Sequence, residues 1–124
     1  MLYRHFTGLT YTTGVKDTAE SKQAYWLIDA IASHVIANPK FKKRCSEDQR
    51  FADMQIWILS KQDDGAKLIG VADTVDEELK NPACEQDITF TDFEFYADQD
   101  EKFYCAKNFI EGRECYTIMK PSEY

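Results

Sequence analysis

A helix that is apolar around more than half its girth cannot stand alone in water, and this chain contains one. Residues Gln23–Ala37 read Gln-Ala-Tyr-Trp-Leu-Ile-Asp-Ala-Ile-Ala-Ser-His-Val-Ile-Ala. Ala24, Leu27, Ile28, Ile31 and Val35 recur at helical spacing and form a stripe that Tyr25, Ala32 and Ile36 widen. Asp29 and Ser33 occupy the opposite side, with Trp26 out of place among them. Such a stripe needs a partner layer, and the strand-like segments after residue 50 supply one. The expected architecture is a single α+β domain over residues 1–124, with one main helix packed on an antiparallel sheet of about five strands.

The remaining segments are read around that helix. Residues 2–13 form a short strand or hairpin turning at Thr7-Gly8, and Val15–Ser21 a short helix capped by Thr13. Ser21 caps the main helix, and Asn38-Pro39 ends it, because proline pushes its predecessor out of the α region. Lys40–Arg44 carries four positive charges just past that end, where they complement the helix dipole or meet acidic groups elsewhere. Phe51–Lys61 is the strongest strand. Met54, Ile56 and Ile58 face one way and Phe51, Trp57 and Leu59 the other, as expected of a central strand. Gln62-Asp63-Asp64-Gly65 turns it into Ala66–Asp73. Thr74–Glu85 is a loop with one helical turn at Val75–Lys80. Asp87–Tyr96 resumes as a strand, with a bulge at Asp92 returning Ile88, Phe90, Phe93 and Phe95 to one face. Ala97–Lys102 is an acidic turn, and Phe103–Ile110 with Glu114–Lys120 form the last hairpin, closed by Pro121.

Charge narrows the function. The net charge of −7 is uneven: residues 1–62 hold nine Lys/Arg against six Asp/Glu, and residues 63–124 hold six against sixteen. A second half at −10 repels phosphate backbones and argues against direct binding of DNA or RNA. No apolar run reaches the roughly 20 residues needed to cross a bilayer. Nor does the N-terminus carry the apolar core of an export signal, so a cytoplasmic location is expected. Cys45, Cys84, Cys105 and Cys115 lack metal-ligand spacing and read as small buried or half-buried thiols with no redox or metal role. No catalytic, metal or cofactor motif appears. His34 flanks the helix stripe as a hydrogen-bonded boundary residue, His5 has no pairing signal, and nothing in the sequence brings Asp29, Asp53 and Asp92 together.

Two features point to binding instead. Glu85–Glu101 holds seven carboxylates and no Lys or Arg, interleaved with aromatics. On a strand, the outward row of Asp87, Asp92, Glu94 and Asp98, continued by Asp100 and Glu101, spreads negative charge at about 6–7 Å per alternate residue, close to twice the phosphate spacing of one DNA strand. Such a row serves either as a decoy for a phosphate backbone or to keep an edge strand from aggregating. Trp26 is either covered by the N-terminal hairpin or an exposed anchor. A second reading is a small-ligand or enzymatic pocket between helix and sheet, lined by Trp26, Trp57 and Tyr25.

Tyr11-Thr12-Thr13-Gly14-Val15-Lys16, Ala24–Ala32 and the closing Pro121-Ser122-Glu123-Tyr124 occur in an order that resembles an uncharacterised domain-of-unknown-function family of short bacterial, phage and plasmid proteins. In that family a Thr-Asp-Gly-Val-Lys turn precedes a Tyr-Trp-Leu-Leu-Asp helix, and the chain ends Leu-Pro-Ser-Glu-Tyr. Here Thr13 stands for the Asp and Lys120 for the Leu, and Thr74–Glu85 is expanded. The resemblance implies a setting on mobile elements, where small acidic proteins often block host defences. The expected function is a non-enzymatic, anti-CRISPR-like inhibitor, monomeric or homodimeric. Its partner would be a host protein with a basic nucleic-acid-binding surface, met by Asp87, Asp92, Glu94, Asp98, Asp100, Glu101 and Trp26 in place of nucleic acid.

Overall fold

Pro39 ends one helix and begins the next. In the computed structural model, which describes residues 2–89 and 91–124, the apolar stripe forms α2 (Tyr25–Ala37). Leu27, Ile28, Ala30, Ile31, Ala32 and Val35 of that helix are buried. The next helix, α3 (Pro39–Glu47), starts at once: Asn38 Oδ1 accepts from the Lys40 N–H at 2.9 Å, and proline fills the first turn, where its missing donor costs nothing. Lys40–Arg44 is therefore helical. Asp48 caps α4 (Gln49–Asp53) by accepting from the N–H groups of Arg50 and Phe51. This helix takes Phe51–Asp53 out of the expected strand, and β3 runs Met54–Lys61. Upstream, β1 (Leu2–Arg4) and β2 (Thr10–Thr12) form the N-terminal hairpin. The helix α1 (Thr13–Ser21) is capped by Thr12 rather than Thr13. Ala24, not Ser21, precedes α2, and it makes no side-chain cap.

Downstream, β4 (Ala66–Val71) pairs antiparallel with β3 across the expected turn. The short helix α5 spans Asp76–Lys80, and β5 (Cys84–Ile88) starts inside the segment read as a loop. Strands β6 (Glu101–Ile110) and β7 (Arg113–Met119) make the last hairpin.

The expectation of one main helix on about five antiparallel strands is overturned. Among the described residues, five helices accompany a seven-stranded mixed sheet in the order β1-β2-β7-β6-β3-β4-β5. Its one parallel pairing sets Thr10 against Thr117 and Tyr11 against Ile118. The two extra strands of the N-terminal hairpin join through that contact, which spans 107 residues and which no local pattern encodes.

The helices α1 to α4 pack on one face, against Trp57, Leu59, Leu68, Phe103, Cys105 and Ile118. Ile56, Ile58 and Val71 form a smaller cluster on the other face, so β3 is buried on both sides as its composition predicts. Gly70 lies opposite Trp57, and a Cβ there would sit 2.8 Å from the indole ring.

The C-terminal tail closes the structure. Residues Pro121–Glu123 form a 3-10 turn that carries Glu123 to the start of α1. There its carboxylate accepts from Thr12 Oγ1 at 2.6 Å, the Lys120 N–H at 2.9 Å and the Gly14 N–H at 3.2 Å. The two most recognisable motifs of the chain thus bond to each other.

Candidate functional site

The strands β3 and β6 are antiparallel, with Leu59 beside Glu101, so β3 ends where β6 begins. That end of the sheet carries the β3–β4 turn and the segment 91–100, which leads into β6. The Thr91 N–H donates to the Asp64 carbonyl at 3.4 Å, and Lys61 Nζ to Asp98 Oδ1 at 2.9 Å, which ties the segment across the turn. Asp63, Asp64, Asp92, Glu94, Asp98 and Asp100 are all exposed there. Among the described residues, only Asp98 of these six has an ion-pair partner.

The acidic run is not one strand. The strand β5 stops at Ile88, and the expected ladder of evenly spaced carboxylates, with its bulge at Asp92, does not form. The backbone turns instead: the Phe93 N–H donates to Thr91 Oγ1 at 3.1 Å, and Ala97 and Asp98 take positive φ. Phe93 points into the core, while Phe90, assigned to the same face, lies outside the described residues. Asp87 is exposed on β5 and belongs to the sheet edge. Glu101 does not join the acidic surface. It is half-buried on β6 and ion-paired with Lys120, whose Nζ also reaches Thr18 Oγ1 at 3.3 Å.

Trp26 is half-buried, and among the described residues the aromatic ring packed on it comes from the acidic segment rather than from the N-terminal hairpin. The Trp26 ring meets Phe93 edge-on at 6.5 Å, and Phe93 meets Phe95 at a tilt of 59° with the ring centroids 4.9 Å apart. Lys22 Nζ lies 5.1 Å above the Phe93 ring and donates to the Glu94 carbonyl, which pins the acidic segment to the helix layer. The outer edge of Trp26 borders a shallow groove with Asp29, Ala30, Gln86 and Ile88.

The pocket expected from Trp26, Trp57 and Tyr25 does not assemble. Trp57 is fully buried beneath Phe41 and His34, while Tyr25 is exposed and donates to Glu20 Oε1 at 3.0 Å. The cavity between α1, α2 and the sheet is lined by Val15, Leu27, Ile31 and Phe103 among others and measures about 10 Å³. It holds one water at most.

Both histidines are engaged in structure. His34 Nδ1 accepts from Asn38 Nδ2 at 2.7 Å, because the Asn38 oxygen already caps α3. The imidazole proton therefore sits on Nε2, where it donates to Gln86 Oε1 at 2.8 Å. This one ring joins α2, the cap of α3 and the edge strand. His5 Nδ1 accepts from Thr7 N at 3.3 Å and lies 2.8 Å from Thr7 Oγ1, and its Nε2 donates to Asp29 Oδ1 at 2.6 Å. The line of hydroxyl, imidazole and carboxylate fastens the β1–β2 turn to α2. No spacing in the sequence signals it, since His5 and Asp29 lie 24 residues apart. Asp53 accepts from Gln49 Nε2 at 2.8 Å, so Asp29 and Asp53 serve separate partners, while Asp92 is exposed in the segment after β5. Among the described residues, no three His, Cys, Asp or Glu side chains are grouped to hold a metal ion. All four cysteines are free thiols. Burial pushes Cys84 up to about 11 and Cys105 higher still, so neither is a nucleophile near neutral pH.

The basic cluster does not neutralise the acidic end. Arg44 pairs with Glu78 at 3.2 Å and Asp48 at 3.8 Å, and Lys40, Lys42 and Lys43 make no ion pair among the described residues. No helix among those residues is long and apolar enough to cross a membrane.

Comparison with curated proteins and with solved structures gives no match. The model of a family of unknown function, DUF6876, matches residues 1–124. The chain belongs to that family.

Proposed function

We propose that this chain is a non-enzymatic binding protein whose acidic end engages a basic, nucleic-acid-binding surface of another protein. One observation carries the reading: six exposed carboxylates lie at one end of the sheet, and among the described residues a single ion pair offsets them. Lysines and arginines that otherwise grip phosphates are the chemical match for such a surface. Free nucleic acid is repelled by it. Attraction of this kind speeds association and weakens as salt screens it.

The setting is part of the proposal and rests on the motif resemblance. It is the cytoplasm of a bacterium carrying a phage or plasmid, with the chain acting on a host defence complex such as a CRISPR effector. Mimicry here is a matter of charge rather than of phosphate spacing, because the carboxylates sit on a turn and a looped segment.

The test is capture from bacterial lysate on the immobilised protein, with salt elution and mass spectrometry. The control replaces Asp64, Asp92, Glu94 and Asp100 by Lys. Nucleic-acid-binding proteins that elute with salt and are lost on the control support the reading. Equal capture by both forms, or a catch without basic nucleic-acid-binding proteins, refutes it.

A further inference from the structure

The sheet has two edges. The strand β1 forms one with three residues, and β5 forms the other with five and pairs on one side only, with β4. Among the described residues, no backbone bond joins Glu85–Ile88 to any segment other than β4. The outer N–H and C=O groups of β5 are thus available to another strand.

The two faces of this edge differ. Cys84 is buried, Gln86 reaches His34, and Ile88 packs against the core, so these three face the helix layer. Glu85 and Asp87 face the open side and are exposed. On the helix side, the groove bounded by Trp26, Ala30 and Ile88 runs beside the strand. On the open side, Lys67 of β4 pairs with Glu85, while Asp87 has no ion pair among the described residues.

We propose that β5 is an acceptor edge for an extended segment of a partner protein in which apolar residues alternate with lysine or arginine. The added strand bonds to the backbone of Glu85–Ile88. Its apolar side chains rest in the groove beside Trp26, and its cations lie opposite Glu85 and Asp87. Charge selects the occupant. Opposite charges across a strand pair are favourable and like charges are not, so a second β5 is turned away while a basic strand is accepted. This inference rests on the function proposed above and specifies how the basic partner is held.

The probe is a synthetic eight-residue peptide of alternating Lys and Val. Its control is a Lys-Pro repeat of equal charge, which stays extended but lacks every second backbone donor. Titration by NMR is expected to shift and protect the amides of residues 85–88 with the Lys-Val peptide, and to show at least about tenfold weaker binding of the Lys-Pro peptide. Asp87→Lys is expected to weaken the Lys-Val peptide by about tenfold. Equal binding of both peptides, with shifts confined to Asp63, Asp64 and residues 91–100, overturns the edge and leaves the acidic-surface reading standing. Binding of neither peptide at low salt overturns both.

Discussion

Replacing Glu123 by alanine tests whether the closing motif of the chain is a structural clasp. Glu123 accepts three hydrogen bonds, two at the first turn of α1 from Thr12 Oγ1 and the Gly14 N–H, and one from the Lys120 N–H that caps its own turn. It thereby fills the role of a capping side chain from 109 residues away. Loss of a helix cap costs about 0.5–2 kcal/mol, and loss of a negative charge at a helix N-terminus about 0.3–1 kcal/mol. Glu123 is exposed, so solvent screens both contributions, and the expected loss for Glu123→Ala is about 1–1.5 kcal/mol. For a chain of this length that is a fall in Tm of about 3–8 °C, readable by circular dichroism.

The loss should follow pH. Partial burial raises the Glu123 pKa, but the hydrogen bonds from Thr12, Lys120 and Gly14 outweigh it and hold the carboxyl below its ordinary value of 4.5. A group depressed in the folded state stabilises fully above its unfolded pKa and loses that contribution as pH falls through the folded value. The difference between native chain and variant should be complete at pH 7 and shrink on acidification below pH about 4. A second substitution tests the geometry with opposite sign. A Cβ on Gly14 would lie 2.5 Å from Glu123 Oε1, so Gly14→Ala should destabilise the native chain by displacing the clasp. In the Glu123→Ala background the same change should be neutral or stabilising, since alanine is favoured over glycine in a helix by about 1 kcal/mol. Additive effects of the two substitutions, or a Glu123→Ala variant as stable as the native chain at pH 7, would refute the clasp.

Gly70→Ala should cost about 1–3 kcal/mol in urea unfolding, because its methyl would meet the fully buried Trp57 ring at 2.8 Å. A native-like midpoint would mean that the ring has room to move. Cys84 and Cys105 should resist a thiol reagent at pH 8 until the chain unfolds, being buried with pKa values pushed upward. Labelling of either in the folded protein at the rate of a free thiol would contradict their placement in the core.

Local patterns carried much of this fold. The stripe of α2 lies where its 3.6-residue period puts it, and the hairpin around Gly65 and the last hairpin form from contiguous residues. The burial of β3 on both faces follows from apolar residues at both parities. Asn38-Pro39 ends α2 as expected, and the same pair also starts α3, with Asn38 as its cap and Pro39 in its first turn. The acidic run, by contrast, misled. Alternation of aromatics and carboxylates suits a strand, but continuing β5 would have required a neighbour beyond Ala66, where β4 begins. With none there, Phe93 turns under Trp26 and the carboxylates splay around the end of the sheet.

From the residues alone came a helix that must be covered, a central strand to cover it, and an excess of negative charge in the second half. Periodicity and charge are properties of neighbours in the chain, so they survive without coordinates. Tertiary structure decided the rest: the parallel pairing of β2 with β7, the clasp between Thr12, Gly14 and Glu123, and the bond from His5 to Asp29. It also sorted the carboxylates, withdrawing Glu101 to Lys120, leaving Asp92, Glu94 and Asp100 exposed and without ion pairs among the described residues, and setting Asp87 on an open edge. Each of these joins residues far apart in the chain. Their energies exist only after the loops between them have closed, and no window of sequence contains both partners.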